Sequence, residues 1–257
     1  MSKIAVFDSG LGSLSIIKAI QQRTKTEIVY LADQKNYPYG KKSKGELKKI
    51  IKKTIRNLQK KFNPKLIIVG SNTPSILFSE IFAKNDRVIG VFPPLLEAQR
   101  LTKTNSVAML VTHLVANSHA LSNFIKKHTI KRKIKFVIID ASELVDLVES
   151  GKFITEKNFC SKKIISILQH KFITNNVDVV TLSSTHLPFL LPLLQKIFPN
   201  ITFLDPANTV ADQIANHKAF SPSKKNSLKI FSTGNTKTLQ TQLRNIKIRM
   251  AVQQIDI

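Results

Sequence analysis

The sequence predicts an α/β fold of two pseudo-symmetric lobes, each with a mainly parallel four-stranded sheet flanked by helices and with a ligand cleft between them. Three observations carry this. Short apolar runs alternate with helical patterns along the 257 residues, a strand of one half has a near-copy in the other, and polar turns follow the strands. The predicted strands are Ile4–Phe7, Ile28–Leu31, Leu66–Val69, Arg87–Val91, Val107–Val111, Phe136–Ile139, Val177–Leu182 and Ile201–Leu204. Between them lie segments of helical period, such as Leu47–Phe62 with apolar Leu47, Ile50, Ile51, Ile55, Leu58 and Phe62.

Eight strands fit either a barrel or two four-stranded halves, and the near-repeat decides for halves. The run Leu66-Ile67-Ile68-Val69-Gly70-Ser71-Asn72-Thr73-Pro74 matches Val179-Val180-Thr181-Leu182-Ser183-Ser184-Thr185-His186. Each is a buried strand, the third of its half, that ends in a hydroxyl-rich turn. Ile4–Gly12 and Val107–Val115 likewise open their halves with a strand running into a polar turn. Ligand groups then gather at the carboxyl ends of the strands. Phe92-Pro93-Pro94 is the natural linker, because Pro-Pro continues neither helix nor ladder. The segment from about Ala207 is expected to return to the first lobe, giving residues 1–92 with 207–257 as one lobe and 93–206 as the other.

Composition narrows the class. A hydrophobic fraction of 42% is that of a soluble globular chain, and no apolar run nears the roughly 20 residues that span a bilayer. The start has no basic-then-apolar leader pattern. A soluble cytoplasmic protein without membrane contact is expected. The single cysteine, Cys160, allows neither an intramolecular disulfide nor a cysteine zinc site, and it sits in a helical segment remote from the polar turns. Net charge is +24. The positive field attracts dicarboxylates, membranes and nucleic acids. The lysines nevertheless spread through 41–53, 60–65, 126–135, 152–171 and 218–229 with no nucleic-acid-binding signature, so a solvated surface is favoured over a nucleic-acid site.

Four turns carry candidate chemistry. Asp8-Ser9-Gly10-Leu11-Gly12-Ser13 joins a strand to a helix, and its glycines let N–H groups face an anion. Read alone, it is equally a strand-to-helix turn capped by Asp8 or Ser9. Tyr37-Pro38-Tyr39-Gly40 makes a rigid loop able to offer donors to a carboxylate. Ser71-Asn72-Thr73 and Ser184-Thr185-His186 set hydroxyls and an amide at helix starts, where each also reads as a cap. His186 adds an acid/base group.

Together, Phe7-Asp8-Ser9-Gly10-x-Gly12, Asp33 with Pro38-Tyr39-Gly40, Asn72-Thr73 and Thr185-His186-x-Pro188 resemble glutamate racemase in order and spacing over essentially the full length. Thr112 with Ser118, Val145–Gly151 with Glu149, and Leu204-Asp205-Pro206-Ala207 are smaller echoes. The resemblance implies an amino-acid site between the lobes, no cofactor, no metal and a possible homodimer. It also implies two facing cysteines that remove and return the substrate α-proton, and here those positions are Ser71 and Ser184. By the same carry-over Asp8 assists the first, and Glu149 with His186 the second. Ser9, Pro38, Tyr39 and Gly40 hold the side-chain carboxylate. Asn72, Thr73, Thr112 and Thr185 hold the α-carboxylate and amino group.

A thiol, with a pKa near about 8.5, reaches the thiolate near neutrality, whereas a serine hydroxyl needs a neighbouring base. Two-thiol racemisation is therefore expected to be absent or very slow. Ser13, Val115 and Leu187 also depart from the family pattern, as natural divergence would produce. Three readings remain open: a glutamate racemase-like protein, a binding or sensing module for an acidic amino acid or related dicarboxylate, and an anion or nucleic-acid binder using the lysine surface.

Overall fold

The computed structural model describes residues 3–130 and 133–257, so Lys131 and Arg132 of the 126–135 basic run lie outside the described residues, as do Met1 and Ser2. Among the described residues there are ten strands: β1 (Lys3–Asp8), β2 (Glu27–Ala32), β3 (Leu66–Val69), β4 (Val88–Gly90), β5 (Ser106–Val111), β6 (Lys135–Asp140), β7 (Val179–Leu182), β8 (Thr202–Leu204), β9 (Ser227–Ser232) and β10 (Val252–Gln254). They form a six-stranded sheet of order β10-β9-β2-β1-β3-β4 and a four-stranded sheet of order β6-β5-β7-β8, with every pairing parallel.

The eight expected strands are all present, and the repeat is real at the level of topology. The order β2-β1-β3-β4 is reproduced by β6-β5-β7-β8, so β3 and β7, which carry the two serine turns, occupy equivalent places. The expectation of four strands in the first sheet is corrected to six. β9 pairs with β2 and β10 with β9, extending that sheet at one edge with C-terminal chain.

Both faces of the central strands are covered, as parallel strands require. In β1, Ile4 and Val6 face helices Leu14–Arg23 and Ala207–Ala215, while Ala5 and Phe7 face helix Lys44–Phe62. That helix starts where Ser43 Oγ accepts the Glu46 N–H at 3.2 Å and ends at Asn63, whose φ of 44° cannot continue it. It buries Leu47, Ile51 and Leu58 and turns its lysines outward. Helix Ala207–Ala215 packs on Leu14–Arg23, so chain from the far end closes the first layer. Around the four-stranded sheet, helix Lys157–Thr174 buries Cys160, Ile164, Leu168 and Phe172 at four-residue spacing against Ala108, Leu110, Val180 and Leu182. Cys160 is core, and burial pushes its thiol up. No helix among the described residues is long and apolar enough to cross a membrane.

Candidate active site

The carboxyl ends of β1, β3, β5 and β7 meet in one cleft. Its lining includes Asp8 and Ser9 after β1, Pro38, Tyr39 and Gly40 from the loop after β2, and Ser71 and Thr73 after β3. Thr112 follows β5, and Ser184 and His186 follow β7. The cavity is only about 40 Å³, against about 950 and 680 Å³ for two open surface grooves. The cleft is therefore narrow beside either groove.

Neither serine behaves as a cap. Ser71 stands at the N-cap of helix Asn72–Leu77 with no side-chain cap bond, and Leu187–Leu190 forms a 3-10 turn after Ser184. The Ser71 backbone carbonyl is held by the Ser75 hydroxyl at 2.7 Å, and Ser75 in turn accepts the Val91 N–H at 2.9 Å. The turn is thus fixed through its backbone, leaving the Ser71 hydroxyl to the cleft. Ser183, one residue before the second serine, anchors its own turn through Thr181 Oγ1 at 2.8 Å.

The first turn does bind an anion at its N–H groups, but the anion is internal. The Leu11 N–H donates to Glu149 Oε2 at 3.1 Å, and the same oxygen lies 2.9 Å from His186 Nε2. Asp8 is not a helix cap either: Oδ1 accepts the Ser9 N–H at 2.7 Å and Oδ2 the Thr185 hydroxyl at 3.0 Å. The Leu11–Glu149 and Asp8–Thr185 bonds cross from the first turn to elements around the other sheet. Gly10 and Gly12 are needed for closeness rather than for φ. A Cβ on Gly10 would lie 2.5 Å from both Glu149 oxygens, and one on Gly12 would meet Thr185 Oγ1, Asp8 Oδ2 and His186 Nδ1. Ser13, a departure from the family pattern, donates to Gly70 O at 2.9 Å and so ties the first turn to the third.

Thr73 and Thr112 face each other with hydroxyls 2.9 Å apart. Asn72, Thr185 and Glu149 stand behind the cleft lining. Asn72 Nδ2 donates to Val91 O at 3.0 Å, and its buried Oδ1 has no partner among the described residues. Asp33 orders the Pro38–Gly40 loop by accepting from Tyr39 Oη and Asn36 Nδ2 at 2.9 Å and from Thr233 Oγ1 at 3.0 Å. Ser118 lies elsewhere, capping helix His119–His128.

The electrostatics divide the acids. Burial pushes the Asp8 carboxyl up to about 6, against the pull of His186, the Ser9 N–H and Thr185. Burial also works to raise Glu149, but the hydrogen bond and charge of His186, with Leu11 N–H and Gln242, hold it below the usual carboxylate range. Burial opposes charging of His186, yet Glu149 outweighs it and raises its pKa. One buried carboxyl is thus poised to exchange a proton near neutrality, beside a buried ion pair.

This gives a stability prediction. Asp8 holds its proton more tightly folded (about 6) than unfolded (about 3.9), so its favourable contribution is present below about pH 4 and lost as pH rises through 6. The Glu149–His186 pair has the opposite profile on its acid side: its stabilisation falls away as Glu149 protonates and again as His186 loses its proton. Asp8→Asn leaves that pair in place and is expected to raise stability by about 2–3 kcal/mol at pH 8, with the gain vanishing below pH 4. Denaturant unfolding at both pH values checks it, and a pH-independent difference would contradict it.

Five lining residues have no role assigned from the sequence, Lys41 and Ser142 together with Tyr37 of the second motif and Val145 and Asp146 of the Val145–Gly151 echo. Tyr37 Oη donates to Asp146 Oδ1 at 3.3 Å, and Lys41 Nζ lies 3.9 Å from Asp146 Oδ2, so loop and helix touch across the cleft mouth. The signal was available. Ser142, Val145, Asp146 and Glu149 share one face of helix Ser142–Glu149 at helical spacing. Gln242, which donates to Glu149 O at 2.6 Å, had no local signal. Among the described residues no group of three or more His, Cys, Asp or Glu could hold a metal ion.

No protein-family model matches the chain. It is 30% identical over 228 residues to the glutamate racemase of Buchnera aphidicola subsp. Schizaphis graminum, covering 87% of this chain and 88% of the relative. Against the Chlorobaculum tepidum glutamate racemase it is 31% identical over 218 residues, covering 82% and 78%. Among solved structures, the Bacillus anthracis glutamate racemase isoform RacE1 superposes with a TM-score of 0.86 at 20% identity, covering 100% of this chain and 98% of that one. Escherichia coli glutamate racemase, in complex with L-glutamate and the activator UDP-MurNAc-ala, gives 0.83 at 21% identity, covering 99% and 98%. The curated relatives establish descent and the structures establish the shared fold: this chain belongs to the glutamate racemase family.

Proposed function

We propose that the chain binds glutamate in this cleft on a glutamate racemase scaffold, with Ser71 and Ser184 in place of the two proton-carrying thiols. The carrying observation is that two serine turns on topologically equivalent strands converge on one cleft, with their hydroxyls not used as caps. In this reading Ser9 and the Pro38-Tyr39-Gly40 loop receive the side-chain carboxylate. Thr73 and Thr112, with Asn72 and Thr185 behind the lining, hold the α-carboxylate and amino group. Asp8 stands on the Ser71 side, and Glu149 with His186 on the Ser184 side. No cofactor takes part.

Serine hydroxyls do not ionise near neutrality, so neither can take the α-proton unaided. Asp8, poised near 6, and His186, whose pKa is raised by Glu149, are the groups of the cleft able to hold or release a proton. The protein is therefore a glutamate-binding member of the family with racemisation absent or very slow. The lobes of this reading are residues 1–92 with 207–257 and residues 93–206, supported by the packing of helix Ala207–Ala215 on Leu14–Arg23. A cytoplasmic location and a homodimer belong to the same reading. Proton NMR of L- and D-glutamate incubated with the protein in D2O tests it. No loss of the α-proton signal over hours is expected, and rapid loss in the native chain would overturn the assigned role of the serines.

A further inference from the structure

A third groove, of about 570 Å³, runs between helix Lys44–Phe62 and the edge strand β4 and shares no residue with the cleft. Lys52, Arg56 and Lys60 project into it at four-residue intervals, and Arg87, just before β4, faces them. Ile55 and Ile81 give it an apolar floor, and no carboxylate lines it.

Charge here is more than the average of a +24 chain. The two larger grooves each mix their cations with an acid, Asp205 in one and Glu97 in the other, and the cleft sets Lys41 against Asp8 and Asp146. Cations nearby find partners where acids are in reach: Lys42 with Glu46 at 3.1 Å and Lys48 with Glu80 at 2.7 Å. Asp86, next to Arg87, is paired with Lys218 at 3.0 Å. No such ion pair engages Lys52, Arg56, Lys60 or Arg87 among the described residues. Like charges spaced i, i+4 weaken a helix, so this row stands at a cost that a bound anion would relieve.

We propose that this groove binds a phosphate-bearing polyanion. The helical rise separates Lys52 from Lys60 by about 12 Å, long enough to meet several phosphate groups in line. Arg56 and Arg87 supply forked donors suited to phosphate oxygens. An apolar part of the ligand, where it has one, would rest on Ile55 and Ile81. The same chemistry is offered by a free nucleoside triphosphate and by a nucleic-acid strand.

The test uses the full chain with inorganic tripolyphosphate, ATP and a labelled single-stranded oligonucleotide as probes, each at two salt concentrations. The variant is Lys52→Gln, Arg56→Gln, Arg87→Gln. The control removes three equally exposed charges from another helix, Lys157→Gln, Lys162→Gln, Lys171→Gln. All six positions are on the surface, and unchanged thermal melting verifies both folds. Tripolyphosphate affinity is expected to fall at least about tenfold in the groove variant and less than about twofold in the control. ATP bound as tightly as the oligonucleotide identifies free polyphosphate as the source. A tighter oligonucleotide, with a salt slope reduced by about three in the variant, identifies a strand. Equal losses in variant and control, or no binding of any probe to the native chain, would overturn the proposal.

Discussion

Placing cysteine at both 71 and 184 is expected to raise the rate of glutamate α-proton exchange in D2O by at least about 10³-fold over the native chain, or roughly 4 kcal/mol of barrier. A thiol ionises several units closer to neutrality than a hydroxyl, and the cleft favours that ionisation on the second side through the His186 cation held by Glu149. On the proposed reading the other groups of the site are in position: the ordered Pro38–Gly40 loop, the facing Thr73 and Thr112 hydroxyls, and Asp8. The substitution changes one atom per site, and the larger sulfur with its longer bond adds only a little bulk at the cleft wall. Exchange at racemase-like rates in the double variant, and none in the native chain, would locate the defect in the two side chains alone. A variant that binds glutamate yet remains silent would contradict the positional assignment of Ser71 and Ser184.

Gly12→Ala is expected to abolish glutamate binding and to lower stability by about 1–3 kcal/mol, the usual cost of overpacking. Its Cβ would be set 2.6 Å from Asp8 Oδ2 and 2.7 Å from His186 Nδ1, and against Thr185 Oγ1. These groups belong to turns of both sheets, so relief requires moving one sheet's turn away from the other and breaking the Thr185–Asp8 bond. Gly45→Ala is the control. It lies in helix Lys44–Phe62, and nothing stands within 4 Å of its added Cβ. That variant is expected to bind normally and to gain up to about 1 kcal/mol, as Ala does over Gly in a helix. Calorimetric titration with glutamate and thermal melting of both variants check the pair. Normal binding by Gly12→Ala would show that glutamate binding does not need the turns to approach so closely.

Much of this was legible because buried parallel strands announce themselves as unbroken apolar runs. Leu66–Val69 and Val179–Leu182 were read from that signal, and the polar turns that follow them give the halves their relation. The two strands that were missed lack it. β9 interrupts its apolar residues with Lys229 and lies beyond the edge of the expected sheet, and β10 is three residues with two exposed glutamines. Such strands exist because β2 offers an open edge, which is a tertiary fact.

The site divides in the same way. Turn residues were found from local chemistry, yet three local readings failed: Asp8 does not cap its helix, and neither Ser71 nor Ser184 uses its hydroxyl as a cap. What takes the Asp8 side chain lies 177 residues away, at Thr185, and what takes the Leu11 N–H of the same turn lies 138 residues away, at Glu149. The sequence could show that Glu149 shares a helix face with Ser142, Val145 and Asp146. Only the folded chain shows that its carboxylate fills the anion site of the first turn.

The central claim is that a narrow cleft at the carboxyl ends of the two sheets holds glutamate without the means to racemise it. Isothermal titration of the native chain with L-glutamate and D-glutamate, repeated on Thr185→Val, tests this most directly. The account predicts saturable one-to-one binding of glutamate that salt weakens only modestly, and its loss by at least about tenfold in Thr185→Val, where the hydroxyl bond to Asp8 is gone. No heat with either enantiomer, or equal binding by the variant, would contradict it.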